Sequence, residues 1–374
     1  MEALSYVFTA VRGIQAGRCY YVVMCPLKLV KKIFLFDEEE LAPHLRAQRV
    51  LNRSRVPEIS RYLIENPREY VLSSLTASID GEAHFEPLSQ ASPDVGHLII
   101  PMNAKFLLND GQHRRAAIEN AVKACPELGE ETVSVVLFID AGLQRSQQMF
   151  ADLNRYAVRP TKSLGILYDY RDPLGKLVRR MASDHPVFKG ITELERTSIS
   201  NRSHELFTLS GLYHATGRLL EYRKRSEVSP QQEAFVNSFW SEAASYIPDW
   251  GAVQEKKITS AELRRDYIHA HGIALLALAI MGSSLFQRFP NAWREPLKNL
   301  KNIDWHRANS SVWEGRAMAG GRVSKIHSHV VLTSNYIKGV IGIPLTEEET
   351  RVEQEFHKMK GGESFEKEPA GSVA

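Results

Sequence analysis

The sequence predicts an α+β protein in two parts: a mixed β-sheet domain with helices over residues 1–158 and a mainly α-helical domain over 159–345. An acidic, disordered tail, 346–374, is expected to follow. Three observations predict this. Residues 4–36, and again 133–139, are rich in β-branched and aromatic residues with turn signals between them, the mark of strands. After Pro160 strand signals nearly vanish, and apolar residues recur at helical spacing from Ser163 to Gly339. The end of the chain, GGESFEKEPAGSVA, is polar and aperiodic, with too little apolar surface to offset its ordering.

The elements follow in order. VFTAVRGIQAGRCYYVVM reads as a hairpin around Gln15-Ala16-Gly17, and LVKKIFLF as a third strand. Asp37 then caps a helix opening DEEEL, its acids in the first turn where the dipole favours them. A second helix starts near Pro57, and YVLSSLTASI is another strand. KFLL is strand-like, Asn109 to Gln112 is a turn, and a helix runs on to about Cys125. VSVVLFI, Val133 to Ile139, reads as a buried strand without alternation, as parallel sheets prefer, so strand, helix and strand fit a right-handed crossover. A helix carrying LQRSQQMFADLNRYA closes the domain, and the Arg-Pro-Thr-Lys break at Val158–Lys162 marks the boundary.

Composition bounds the function. The chain is 43% hydrophobic and 24% charged, the balance of a soluble globular protein. Net charge is only +3, but residues from Glu347 onward carry −4, which leaves +7 on the body and permits nucleic-acid binding without requiring it. Cys19, Cys25 and Cys125 form neither a metal-spaced pair nor a disulfide framework, so a reducing cytoplasm is expected. Cys19 and Cys25 sit an even step apart on one strand and share a face, as small apolar residues. There is no basic-then-apolar leader, and the longest apolar run, IALLALAIMGSSLF from Ile273, is too short for a bilayer and reads as a buried helix.

The segment LLNDGQHRRAAIENAV concentrates the chemistry. Gly111 stands where a left-handed or close-approach backbone is easiest. The helix that follows begins with outward N–H groups and a partial positive charge, and His113, Arg114 and Arg115 add donors that match phosphate oxygens. On the helix face Arg114 lies one turn before Ile118, on the apolar stripe, so its guanidinium needs a polar pocket or an acid. Arg115 lies one turn before Glu119, which precedes Lys123, and reads as part of a solvated charge row. A purely structural role stays open: Asp110 caps the helix and the arginines pair with acids. The glycines form neither GxxxxGK[ST] nor GxGxxG.

D-G-x-H-R after a strand and opening a helix resembles the DGQHR members of the ParB/sulfiredoxin-like superfamily, where the equivalent turn cradles nucleotide phosphates. The ParB form reads G-E-R-R, and the sulfiredoxin form has Cys where this chain has Gln112, so sulfiredoxin chemistry is not expected. QMFADLNRYAVRPTKSLGILYDYRD, RSHELFTLSGLYHAT and WEGRAM extend the likeness over nearly the whole chain, to the DndB family of DNA sulfur-modification proteins. The resemblance implies a ParB-like first domain, an association with DNA phosphorothioation, and a DNA-binding regulator of the modification genes. Asp110, Gly111, Gln112, His113, Arg114, Asn154 and Arg155 would then meet phosphate or nucleotide.

Other constellations weigh less. In the helix from Gly142, Leu143, Phe150, Leu153 and Ala157 form the expected buried stripe, with Arg145, Gln148, Asp152 and Arg155 opposite. Asp152, Asn154 and Arg155 either orient a ligand at the turn or fix the domain junction. Arg159 and Lys162, then Arg196 and Arg202 in RTSISNRS, then Arg322 and Lys325 in the flexible GGRVSK, are the cations expected on DNA phosphates. A helix opening within Thr333 to Gly339 after a turn would make a helix-turn-helix, a reading that glycine invites too easily. His269 with His271 and His327 with His329 are two apart and cannot share a metal on a helix, so no metal site is expected. No G-x-S-x-G supports a hydrolase nucleophile.

Two functions follow. The first is a DNA-binding transcriptional regulator whose partner is double-stranded promoter DNA, with other DNA sulfur-modification proteins as further candidate partners and a homo-oligomer left open. The alternative is a nucleotide hydrolase or DNA-nicking enzyme, with a nucleoside triphosphate as the candidate cofactor. In it Asp110 would position water or a metal, and His113 and Arg114 would stabilise phosphate charge.

Overall fold

Ala16 and Gly17, at φ 50° and 74°, turn β1 (Ser5–Gln15) back into β2 (Arg18–Pro26), the positive-φ geometry that two-residue hairpins favour. The computed structural model describes residues 4–34, 53–139, 142–155, 160–200, 202–223 and 226–360. It divides into two units, Met1–Val158 and Arg159–Ala374.

The first unit departs from expectation directly after β2. The expected third strand is a helix, α1 (Leu27–Ile33). Its period explains why: Leu27, Val30 and Ile33 are buried three apart, whereas Lys28 and Lys32 are exposed and Lys31 closes the last turn beside the helix's negative end. The Leu27 N–H donates to the Glu131 carbonyl at 2.8 Å and fixes the helix start. The helix expected from Asp37 lies outside the described residues.

α2 (Val56–Glu65) and β3 (Leu75–Asp80) follow. The hairpin of β4 (His84–Ser89) and β5 (Ser92–Pro101) was not anticipated; Pro87, Pro93 and Gly96 interrupt the strand pattern of its sequence. β4 is the edge strand, where Pro87 is tolerated. At Gly96 the strands approach so closely that a Cβ would meet the Glu86 carbonyl oxygen at 2.1 Å. β6 (Lys105–Asp110), α3 (Gln112–Ala124), β7 (Thr132–Ile139) and α4 (Gly142–Arg155) complete the unit.

The sheet is mixed, in the order β4-β5-β1-β2-β7-β3-β6. β3 pairs parallel with β7 and antiparallel with β6, so β6 and β7 run in opposite senses with β3 between them. The expected parallel crossover from β6 through α3 to β7 is therefore corrected. The continuous apolar run of β7 reflects a central position between β2 and β3. Val133, Val135 and Leu137 point into the same core as Leu75, Ala77 and Ile79, against which α1, α2 and α3 supply Val30, Leu63 and Ile118. Burying one such side chain contributes about 1.5–3 kcal/mol. Cys25 is buried in that core, whereas Cys19, on the same face of β2, is exposed near the strand's start.

The second unit is helical apart from two short strand pairs. Its elements are α5 (Lys162–Tyr168), α6 (Pro173–Asp184), β8 (Thr192–Glu193), β9 (Phe207–Thr208), α7 (Leu209–Leu219), α8 (Pro230–Ser245), α9 (Asp249–Gln254) and α10 (Ser260–Asp266). Then come α11 (Gly272–Arg288), α12 (Arg294–Leu297), α13 (Ser310–Trp313), β10 (Met318–Ala319), β11 (Arg322–Val323), α14 (His327–Ile341) and α15 (Glu347–Met359). α11 is apolar around its circumference and buried accordingly, packed on α7 and α14. Gly282 is needed there, since a Cβ would meet the Phe239 ring at 2.5 Å.

Two further expectations are corrected here. Thr333 does not open a helix after a turn; it is buried in the middle of α14, and GGRVSK begins in the turn of the β10–β11 hairpin, so the helix-turn-helix reading falls. Nor is the tail disordered from residue 346. Thr346 caps α15 in a reciprocal capping box with Glu349. Glu349 then reaches the Lys338 ammonium at 2.5 Å, and Glu353 clamps Arg316 through two bonds of 2.6 and 2.8 Å. Lys338 and Arg316 are only 1% and 8% exposed, so these acids answer buried cations of the core. Among the described residues no helix is long and apolar enough to cross a membrane.

Candidate functional site

Gly111 carries the turn between β6 and α3. Its φ is 106°, and a Cβ there would meet Leu75 Cδ2 at 2.4 Å, so only glycine fits both the backbone and the space. Among the described residues no side chain caps α3, which removes the expected capping role of Asp110. Instead Asp110 Oδ2 accepts from Arg114 Nη2 at 2.6 Å, and the same nitrogen donates to the Ser74 carbonyl at 3.1 Å. The guanidinium on the apolar side of the helix thus meets an acid, as the structural reading required.

Asn109, read only as a turn residue, is fully buried and joins three elements. Its Oδ1 accepts from Ser78 Oγ of β3 at 2.7 Å, and its Nδ2 donates to the Ser146 carbonyl of α4 at 3.2 Å. The signal in the sequence was a polar residue ending an apolar strand just before the glycine. Around this knot three buried polar atoms have no hydrogen-bond partner among the described residues: Gln112 Nε2, Arg114 Nε and Ser146 Oγ. Each has a hydrogen to donate, and a buried donor left unmatched costs about 1–3 kcal/mol. His113 is half-buried and partnered.

Arg115 is the clearest correction. It is not part of a solvated row: its side chain is 12% exposed, Nε donates to the Phe34 carbonyl at 2.8 Å, and Nη1 pairs with Glu119 at 3.2 Å. Burial lowers its pKa, against the opposing pull of Glu119. Glu119 collects Lys31 and Lys123 as well; burial pushes its carboxyl up, but those two ammonium bonds and the Arg115 charge outweigh it and hold it at about 2. Arg115 ties α3 to the end of α1.

α4 meets the turn through Ser146, and the buried stripe expected of it is partly wrong: Leu153 is 45% exposed and Ser146 is buried. The side chain of Leu143, and Ala157 altogether, lie outside the described residues. Asn154 and Arg155 are exposed and lie eight and nine residues beyond Ser146, roughly 12–14 Å along the helix. Asn154 Nδ2 donates to the Phe150 carbonyl of its own helix, and Asp152 accepts from Gln148 at 2.8 Å, so neither is aimed at the turn.

The second unit gathers its cations. Lys162, Arg196, Arg202, Arg322 and Lys325 are exposed and none pairs with a carboxylate among the described residues; Arg159 lies outside them. They border one region. The Arg196 carbonyl accepts from Ser163 beside Lys162, and the carbonyls of Ser200 and Ser203, flanking Arg202, accept from Arg264 at 3.0 and 3.2 Å. Arg307 donates to the Gly321 carbonyl next to Arg322 at 2.9 Å. Sequence reading missed Arg264 and Arg307, because neither the Arg264-Arg265 pair on short α10 nor a single arginine in a turn forms a motif. His214 and His271 report the resulting field. Burial lowers both, the charges of Lys162, Arg218 and Lys325 add to the effect on His214, and His271 falls to about 4.

The histidine pairs go elsewhere. His269 Nε2 faces Asp249 Oδ2 at 3.1 Å, and His271 Nε2 meets the Arg264 carbonyl at 2.8 Å, while His327 and His329 open α14. Among the described residues no three His, Cys, Asp or Glu side chains converge as metal ligands.

No curated protein and no solved structure matches the chain. A family model does: that of DndB, described as DNA-sulfur modification-associated, matches residues 8–344. The chain belongs to the DndB family, whose association is with DNA sulfur modification.

Proposed function

We propose that the protein is a DNA-binding transcriptional regulator of the DNA-phosphorothioation genes, docking on promoter DNA through phosphate contacts. The observation that carries this is the group of exposed cations Lys162, Arg196, Arg202 and Arg322 in one region of the helical unit, none held by a carboxylate among the described residues. A cation already paired releases few counterions on meeting DNA, whereas an unpaired one exchanges its mobile anions for a phosphate. Family membership supports DNA as the object, and the chain's net charge of +3 agrees in sign. Arg159, beside this group in sequence, joins it in the proposal. Other proteins of the modification system are further partners in this reading, and the cytoplasm its location.

The test is binding of the full chain to fluorescent promoter and scrambled duplexes. Tighter binding to the promoter, weakened for both duplexes by Arg202→Ala and Arg322→Ala, is expected. Absence of binding to either duplex at low salt would sink the proposal.

The orphan donors at the Asp110–Arg114 turn favour a second reading of that site, as a seat for a phosphate-bearing ligand such as a nucleoside triphosphate on a ParB-like DGQHR domain. Gln112 Nε2, Arg114 Nε and Ser146 Oγ would meet acceptor oxygens there. Asp110 is less suited to positioning water or a metal for a nucleotide hydrolase or DNA-nicking reaction, since Arg114 already neutralises it. Nucleotide turnover measured beside duplex binding separates the enzyme from the regulator.

A further inference from the structure

We propose that the cavity between α10, the start of α11 and Lys325 binds a small phosphorylated anion of nucleotide size, at a site that none of Lys162, Arg196, Arg202 and Arg322 lines and that is distinct from the Asp110 turn. The cavity measures ≈ 640 Å³. That lies within the roughly 300–1,000 Å³ of small-molecule sites. Its wall carries Arg264, Arg265, Arg307 and Lys325, with the hydroxyls of Thr197 and Ser198 on the loop opposite.

Three of the four cations in this wall, Arg264, Arg307 and Lys325, make no ion pair among the described residues. Arg264 is 9% exposed and donates to the carbonyls of Ser200, Ser203 and Glu205; the Glu205 carboxylate, which accepts from the Ser203 hydroxyl, acts on it through space but makes no ion pair with it. A buried cation bonded to carbonyl dipoles, with no acid in direct contact, stays costly unless a counter-ion comes closer. Arg307 likewise donates to the carbonyls of Arg264, Arg265 and Gly321.

Lys325 is exposed as a residue, yet its ammonium reaches the first turn of α11 so closely that a methyl at Gly272 would come within 2.6 Å of it. Desolvation lowers the pKa of that ammonium. It has no hydrogen-bond or ion-pair partner among the described residues, and it faces the positive end of a 17-residue helix. An anion between Lys325, Arg307 and the start of α11 relieves all three.

The acids nearby are already committed. Glu262 lines the cavity but caps α10, accepting from the Thr259 N–H at 3.0 Å and its hydroxyl at 2.6 Å, and Asp266 is taken by Arg265 at 2.7 Å. A duplex backbone cannot reach a guanidinium as buried as that of Arg264, whereas a small anion entering the cavity can approach it. Leu206, Phe207 and Leu275 add an apolar wall that suits an organic substituent on the phosphate.

The experiment is calorimetric titration of the full chain with inorganic phosphate, pyrophosphate and adenosine monophosphate. Saturable binding of at least one of them, weakened about tenfold or more by Lys325→Gln, is expected. Gly272→Ala, which displaces the ammonium without removing it, should weaken binding severalfold, and both variants should melt as the parent does. No saturable uptake of any probe, or affinity unchanged in both variants, overturns the site. Displacement of the bound probe by duplex DNA, with Lys325→Gln costing duplex affinity in the same proportion, would reassign the cavity to the DNA surface and overturn it too. Loss of duplex binding with probe binding intact would instead count against the regulator reading alone.

Discussion

Arg114 and Arg115 are neighbours in sequence, yet the helix turns them toward different chemistry. Arg114 keeps one orphan donor at the turn, and Arg114→Ala should weaken nucleotide binding by ~1–3 kcal/mol, as one charge-assisted contact does. Calorimetry giving equal affinities for variant and parent would remove Arg114 from the site. Arg115 joins α3 to the Phe34 carbonyl and to Glu119, so Arg115→Ala should lower stability by ~1–3 kcal/mol in urea melts while leaving the turn intact. Glu119 adds a pH dependence. Its carboxyl sits at about 2 when folded against an ordinary 4.5, so the unfolded chain binds the extra proton between those values. The stabilisation is therefore complete above about 4.5 and is lost as pH falls toward about 2. Glu119→Gln should lose stability at neutral pH and show a flatter decline over that acid window. An unchanged slope in acid melts would show that the Lys31, Arg115 and Lys123 contacts contribute nothing.

Elements were misread where charge and periodicity were weighed without their partners. LKLVKKI has β-branched and aromatic company on both sides, but its buried residues repeat every third position, and seven residues were too few to set that period against strand propensity. α15 is the opposite case: its acids looked like solvated tail and instead neutralise Lys338 and Arg316. Removing one member of such a buried pair costs about 3–5 kcal/mol. Glu349→Ala should therefore lower the melting temperature markedly, as should truncation after residue 346, and the double variant Lys338→Met with Glu349→Leu should recover most of the loss. A truncated chain melting with the parent would mean that α15 does not dock in solution.

Across the whole molecule, net charge says nothing of which cations are already paired. Glu349 and Glu353 are used internally, while Lys162, Arg196, Arg202 and Arg322 have no carboxylate partner among the described residues. If about five phosphates are neutralised, the logarithm of duplex affinity should fall against the logarithm of salt with a slope of roughly −4 to −5. Arg159→Ala, Lys162→Ala and Arg202→Ala should each flatten the slope by up to about one unit without changing the preferred sequence. A slope near zero, with promoter preference intact, would place recognition outside these cations.

The sequence by itself determined the β1–β2 hairpin, the strands β6 and β7, the glycine at residue 111 and the buried α11, because each rests on local conformational preference or on apolar runs that short windows contain. It also carried the resemblance to the DndB family. Tertiary structure alone decided that β7 lies against β3 rather than in a parallel crossover with β6, since pairing follows from which faces bury together. It alone made Asn109 a buried junction, put Arg115 inside and docked α15. It also drew Lys162, Arg264, Arg307 and Lys325 into one region from positions more than 160 residues apart along the chain. The physical reason is the same throughout. The charge on a side chain is local and legible, whereas its solvation and its counter-charge belong to distant residues that only the folded chain brings near.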